Sequence, residues 1–193
     1  MSTKPPSTGV RTFRFNCEQY HRLGALGFFD GKRVELIRGE IVEMSPINWP
    51  HQLGKIKLTR ALEAAFTGIG WINEQGPLAI GDSEPQPDVA VIAGQPEDYA
   101  DHPRTALLVA EISDTTLSED TTTKAELYAT AGIADYWVLD VVGRELHVFR
   151  DPRPLPAGLG ATAYHAHHVF GPTDRVSPLA APGATILVAD LLP

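Results

Sequence analysis

Ala106-Leu107-Leu108-Val109-Ala110-Glu111-Ile112 is nearly all apolar, yet it holds one carboxylate. The run is too short for a typical helix, and it lacks the polar alternation of a strand with one wet face. It therefore predicts a central strand covered on both faces, which needs helices above and below a sheet. Downstream, Thr115–Ala131 predicts a helix, with Gly132 just past its end. Asp135–Asp140 and Glu145–Arg150 follow as strands around the Val142-Gly143-Arg144 turn. Gly158–Gly160 and its neighbouring prolines predict a loop. Ala163–Phe170 predicts an edge strand, and the chain closes on a short strand and a helical turn.

Upstream, Pro87–Ile92 and Trp71–Glu74 predict two more strands, separated by the turn-rich Gly81–Gln86. Ser45, Pro46, Asn48 and Pro50 signal the start of a helix that runs to about Phe66. Arg33–Glu43 alternates around Arg38-Gly39 and predicts a β-hairpin. Phe13–Leu26 predicts a short helix, preceded by a tail over residues 1–12. The expected fold is α/β, more exactly a mixed central β-sheet flanked by helices, in one domain over residues 13–193.

The 193 residues are 43% apolar and 21% charged, which is globular composition. Cys17 is the only cysteine, so an intramolecular disulfide and a cysteine-based zinc cluster are excluded. No apolar run is long enough to cross a bilayer. Met1–Val10 carries no apolar signal core, so a soluble cytoplasmic protein without a membrane partner is expected. The formal net charge is −8, and residues 81–120 hold ten acids against one base, Arg104. Such a zone repels a phosphate backbone unless a cation intervenes. There is no G-x-S-x-G elbow and no phosphate-binding G-x-x-x-x-G-K-[ST] loop.

Two acids sit where carboxylates are expensive. Asp88 opens the apolar run Val89–Ile92, and Glu111 lies inside the central strand. Each needs a cation or hydrogen bonds to offset its burial. Two carboxylates on neighbouring strand ends suit a hard divalent cation; a strand cap or a pairing with a basic side chain is the plainer alternative. Lys124 shares a helical face with Leu127, Tyr128 and Ala131, so it either snorkels or points at a buried anion. His165, His167 and His168 form an H-x-H-H cluster, but no third ligand for zinc is evident. Tyr136 and Trp137 are expected to pack on the sheet.

An ordered set of short motifs runs through the chain. It comprises Glu35-Leu36-Ile37-Arg38-Gly39-Glu40, Ser45-Pro46 with His51, Pro87-Asp88, Glu111-Ile112-Ser113, Asp120 and Lys124 with Tyr128, Ala131-Gly132-Ile133, and Tyr136–Asp140. The set resembles the Uma2 family, also called DUF820, over roughly residues 13–192. That family is regarded as a branch of the PD-(D/E)XK nucleases, so the resemblance implies a restriction-endonuclease-like core. It also implies a metal-dependent endonuclease, with nucleic acid, DNA first, as substrate. Asp88 and Glu111 match the two acids of the motifs. Ser113 stands where the wider superfamily has its lysine, and Lys124 matches the lysine of this branch. Glu35 matches an N-terminal glutamate counted with the active site, though it could equally be a solvent-facing strand acid.

The implied cofactor is Mg²⁺ or Mn²⁺, held by Asp88, Glu111 and the backbone carbonyl of Ile112. His51 is read either as a contact near the site or as a helix-start histidine. Lys55, Lys57 and Arg60 are the expected contacts to the nucleic-acid backbone. Paired cuts would be served by a homodimer. The alternative is a non-catalytic or regulatory module, binding nucleic acid or protein, that keeps the nuclease scaffold; the acidic balance and Ser113 keep it open, while the presence of Asp88, Glu111 and Lys124 together favours the enzyme.

Overall fold

The computed structural model describes residues 11–156 and 162–193. The expected tail lies outside them up to residue 10, and the expected Gly158–Gly160 loop lies outside them entirely. The apolar run forms β5 (Leu108–Ser113), and all six of its residues are buried. It pairs antiparallel with β4 (Val89–Ala93) and parallel with β6 (Asp135–Asp140). A parallel neighbour requires a crossover. Here it is supplied by α3 (Leu117–Glu119), a π-helical turn (Asp120–Lys124) and α4 (Ala125–Thr130).

Three further strands complete a six-stranded mixed sheet in the order β3-β4-β5-β6-β7-β8. β3 (Gly70–Asn73) flanks β4, β7 (Glu145–Pro154) flanks β6, and β8 (Thr162–Phe170) forms the far edge, all antiparallel. The edge position of β8 is the expected one. Side chains alternate across the sheet into two cores. Val89, Val91, Ala110 and Ile112 pack under Leu58, Leu62 and Phe66 of the helix α2 (Trp49–Ala65) and its C-cap. Ala90, Ile92, Val109 and Val138 pack under Leu127 and Tyr128 of α4. Tyr136 and Trp137 are fully buried on opposite faces, as core residues.

Local chemistry accounts for the elements. Asn48 caps α2 by accepting the His51 N–H at 3.0 Å, and Pro50 sits in its first turn. Gly54 turns α2 toward the sheet, facing the Ile112 and Leu139 side chains. The hairpin forms from β1 (Val34–Ile37) and β2 (Glu40–Glu43). Its turn has positive φ at both Arg38 (51°) and Gly39 (77°), which matches the strand twist.

Some boundaries differ from expectation. The first helix, α1, covers Cys17–Ala25, because Asn16 and Gln19 cap it reciprocally at 2.8 and 3.1 Å. β3 begins at Gly70, one residue early. The helix expected over Thr115–Ala131 is broken by the π turn. β7 runs four residues past Arg150, to Pro154, and pairs with β8 on both sides of Asp151, which has positive φ (59°) and no partner in the ladder.

Asp135 ties the sheet to the C-terminal segment. Fully buried, it accepts from Trp137 Nε1 and Arg150 Nε at 2.8 Å, and from the Leu179 N–H at 2.8 Å. Asp135→Ala strands a guanidinium and an indole N–H, so we expect a stability loss of about 3 kcal/mol or more in urea unfolding. A loss under about 1 kcal/mol, the level of an exposed ion pair, contradicts this role.

Candidate active site

Asp88 and Glu111 interlock through the ends of β4 and β5. The Asp88 N–H donates to Glu111 Oε2 at 3.2 Å, and the Ile112 N–H donates to Asp88 Oδ2 at 2.9 Å. Each carboxylate is thus oriented by the neighbouring strand's backbone. Glu111 Oε1 accepts from Tyr128 Oη at 2.8 Å and from Lys124 Nζ at 3.1 Å. Asp88 Oδ1 lies 3.1 Å from His51 Nε2. Glu35, on β1, accepts the Gln86 N–H at 3.0 Å and stands 3.5 Å from Lys124 Nζ.

The π turn sets the lysine. Asp120 and Lys124, its first and last residues, both point inward, with Lys124 Nζ 3.7 Å from Asp120 Oδ1. π turns recur at functional sites because they re-aim side chains within a helix. Thr116 Oγ1 holds the other Asp120 oxygen at 2.6 Å. Glu35, Asp88, Glu111 and Asp120 are all at least nine-tenths buried, as is Lys124. Four carboxylates therefore face one lysine and one histidine. They line a cleft of about 110 Å³, room for several waters, together with Ile112, Ser45, Pro46 and Arg33.

Ionisation follows from this crowding. Burial pushes Glu111 up to about 8; Lys124 pulls it down, and Asp88, Asp120 and Glu35 push it further up. Burial also raises Asp120, against Lys124 and Thr116. Burial opposes charge on Asp88, but His51, the Ile112 N–H and Lys124 outweigh it and hold Asp88 below the usual range. Burial alone would lower His51; Asp88 and Asp114 more than reverse that. Lys124 is held cationic, well above its ordinary value, because its three carboxylate neighbours overcome its burial.

The residues expected at the site fall into two groups. Asp88, Glu111, Lys124, Glu35, His51 and the Ile112 backbone come together. Lys55, Lys57 and Arg60 do not line this cleft. Lys55 is buried against Glu74 at 3.4 Å, Lys57 donates to the Leu192 carbonyl, and Arg60 is exposed on α2. Three contributors carried no role of their own in the sequence reading. Tyr128 is one, although its spacing from Lys124 placed it on the same face. Asp120 is another, since its inward aim depends on the π turn. Arg33 is the third, and nothing local distinguishes it from other hairpin cations.

A mixed six-stranded sheet flanked by helices, with a buried carboxylate–lysine cluster on its adjoining strands, defines a protein of the α/β class. The family model for Uma2, described as "Putative restriction endonuclease", matches residues 17–189, and the chain belongs to that family. Among solved structures, the chain is similar to "a putative nuclease belonging to DUF820 from Anabaena variabilis ATCC 29413". The TM-score is 0.65 at 18% identity, over 83% of this chain and 89% of that one. At that identity the likeness concerns the fold. No curated protein matches.

Glu111 leaves a signature in stability. Its value lies near 4.5 in the unfolded chain and near 8 in the fold. Folding thus takes up a proton between these limits, and the stability it contributes at low pH is lost as pH rises through about 8. His51, also raised, acts in the same direction, whereas the Asp88 and Lys124 shifts act outside this window. In chelator-treated buffer, wild type should lose more stability from about pH 5 to pH 8 than Glu111→Gln, by at least about 1 kcal/mol in urea unfolding. Equal slopes contradict the assignment.

Proposed function

We propose that this chain is a divalent-metal-dependent endonuclease that hydrolyses phosphodiester bonds in nucleic acid, DNA first. The observation that carries the reading is the contact of Lys124 Nζ with Glu111 at 3.1 Å, beside the Asp88–Glu111 interlock. These groups come from a strand end, a central strand and the helix that follows it.

The donor set fits a hard cation. Each oxygen of Asp88 and Glu111 already has a partner, but a carboxylate oxygen can accept more than one contact. Four buried carboxylates facing one lysine and one histidine leave negative charge in excess, and the proton retained by Glu111 partly offsets it. Asp88, Glu111 and the Ile112 carbonyl would hold Mg²⁺ or Mn²⁺. When bound, the ion supplies Lewis acidity toward a phosphate oxygen and acidifies water.

The chain's own residues do the rest. Lys124, kept cationic, orients the attacking water and offsets charge that develops on the phosphate oxygens. Tyr128 and Lys124 fix Glu111, while His51 fixes Asp88, so both carboxylates are pre-set before substrate arrives. Glu35 and Asp120 hold the lysine amine in place from two sides. Arg33, exposed at the cleft, is the nearest candidate for a phosphate contact. Of the three cations expected along α2, Arg60 is exposed and can serve a longer duplex, whereas Lys55 and Lys57 are engaged by Glu74 and the Leu192 carbonyl. We place the enzyme, as one domain over residues 13–193, in the cytoplasm, where nucleic acid and Mg²⁺ are both at hand. A homodimer would give paired cuts.

Titration calorimetry with Mn²⁺ and plasmid nicking in Mg²⁺ test this reading together. Wild type should bind Mn²⁺ and nick, and Asp88→Asn should lose both. Glu111→Gln and Lys124→Ala should nick about 100-fold more slowly or worse. Nicking that persists unchanged in these variants, or is absent in wild type, overturns it.

A further inference from the structure

We infer that the mouth of the β6–β7 hairpin is a second metal site, of the Zn²⁺ class, built from His147, Glu145 and Asp140. It shares no residue with the cleft of Asp88 and Glu111. The three side chains offer an imidazole nitrogen and two carboxylate oxygens, all within 4.8 Å of one another. Register places them together: Asp140 pairs with Glu145 across the hairpin, and His147 follows two residues on, on the same face.

The histidine is what singles out this cluster. His147 is only 9% exposed, and its Nε2 has no hydrogen-bond partner among the described residues. An orphaned buried nitrogen costs free energy, so it calls for a ligand. It nevertheless lies 3.2 Å from Glu145 Oε1. The direction is wrong for an N–H aimed at that oxygen, but the separation suits two ligands of one ion. Metal–N and metal–O bonds of about 2.1 Å meeting at 90–110° set N and O about 3.0–3.4 Å apart.

The surroundings favour the same assignment. His147 Nδ1 lies 3.0 Å from His167 Nε2 on β8. A ligating histidine usually passes its other N–H to a partner of this kind, which orients the ring and frees the Nε2 lone pair. His167 is itself stacked on Phe149 at 4.1 Å between ring centres, nearly parallel. Asp140 is buried and oriented by the Gly143 N–H at 2.8 Å, which leaves its other oxygen available. Glu145 is half-buried, so its carboxylate can rotate to complete the set. One imidazole with two carboxylates favours Zn²⁺, Co²⁺ or Ni²⁺ over Mg²⁺. The H-x-H-H motif of β8 thus contributes His167 as the ring's support, and the ligands come from the neighbouring strands.

Zn²⁺ binding to the full chain carrying Asp88→Asn tests the site apart from the cleft. Equilibrium dialysis should find one Zn²⁺ per chain in that background. Adding His147→Gln should weaken binding by about tenfold or more, as loss of a ligand or its support does. Glu145→Gln, at a half-exposed position that folding tolerates, should do the same and decides the matter if His147→Gln does not fold. No stoichiometric Zn²⁺ in the Asp88→Asn chain, or unchanged affinity in the double variants, overturns the assignment.

Discussion

Glu111 sits in the middle of a strand covered on both faces, and most of the molecule's polar arrangement answers that fact. Neither water nor an edge is available to it, so its charge must be met by neighbours or given up to a proton. The chain meets it with the Asp88 N–H, the Tyr128 hydroxyl and the Lys124 amine. Meeting it with a lysine creates a second demand, since that lysine is also buried. Glu35 and Asp120 answer that demand, and the number of buried acids rises to four.

This chain of compensation ends in an excess of negative charge that side chains alone do not balance. Structural ion pairs usually close on themselves: Asp135 does, with Arg150, Trp137 and a backbone amide taking up its two oxygens. The Glu111 cluster opens instead onto a cleft, where an ion and a phosphate can enter. That difference separates a buried pair that serves stability from a cluster held ready for chemistry.

Much of this was legible from the residues, and the exceptions have physical causes. The run from Ala106 to Ile112 announces a two-sided strand, and an acid inside it announces a site. Spacing alone put Lys124 inward, on the face of Leu127 and Tyr128. The π turn was not legible, because its one-residue surplus per turn leaves the apolar positions of α4 unchanged. Asp120 consequently stood only as one member of the motif set, with no inward role of its own. Lys55 was expected to contact a nucleic-acid backbone. Its partner Glu74 is nineteen residues away, and no local pattern predicts that pairing. The early start of β3 depends on Gly70, where a Cβ would lie 2.3 Å from the Ile92 carbonyl oxygen, a contact invisible before the strands meet. The cap at Asn16 and Gln19 sets the helix start at Cys17, four residues after the expected Phe13.

The account stands or falls on whether the Asp88–Glu111 pair and the Lys124 amine form one cation-binding centre. A crystal soaked in Mn²⁺ and measured for anomalous scattering addresses this most directly. The account predicts a peak between the Asp88 and Glu111 carboxylates, against the Ile112 carbonyl, with Lys124 beside it. An empty position there at saturating Mn²⁺, with the lysine still sealed against Glu111, would contradict it.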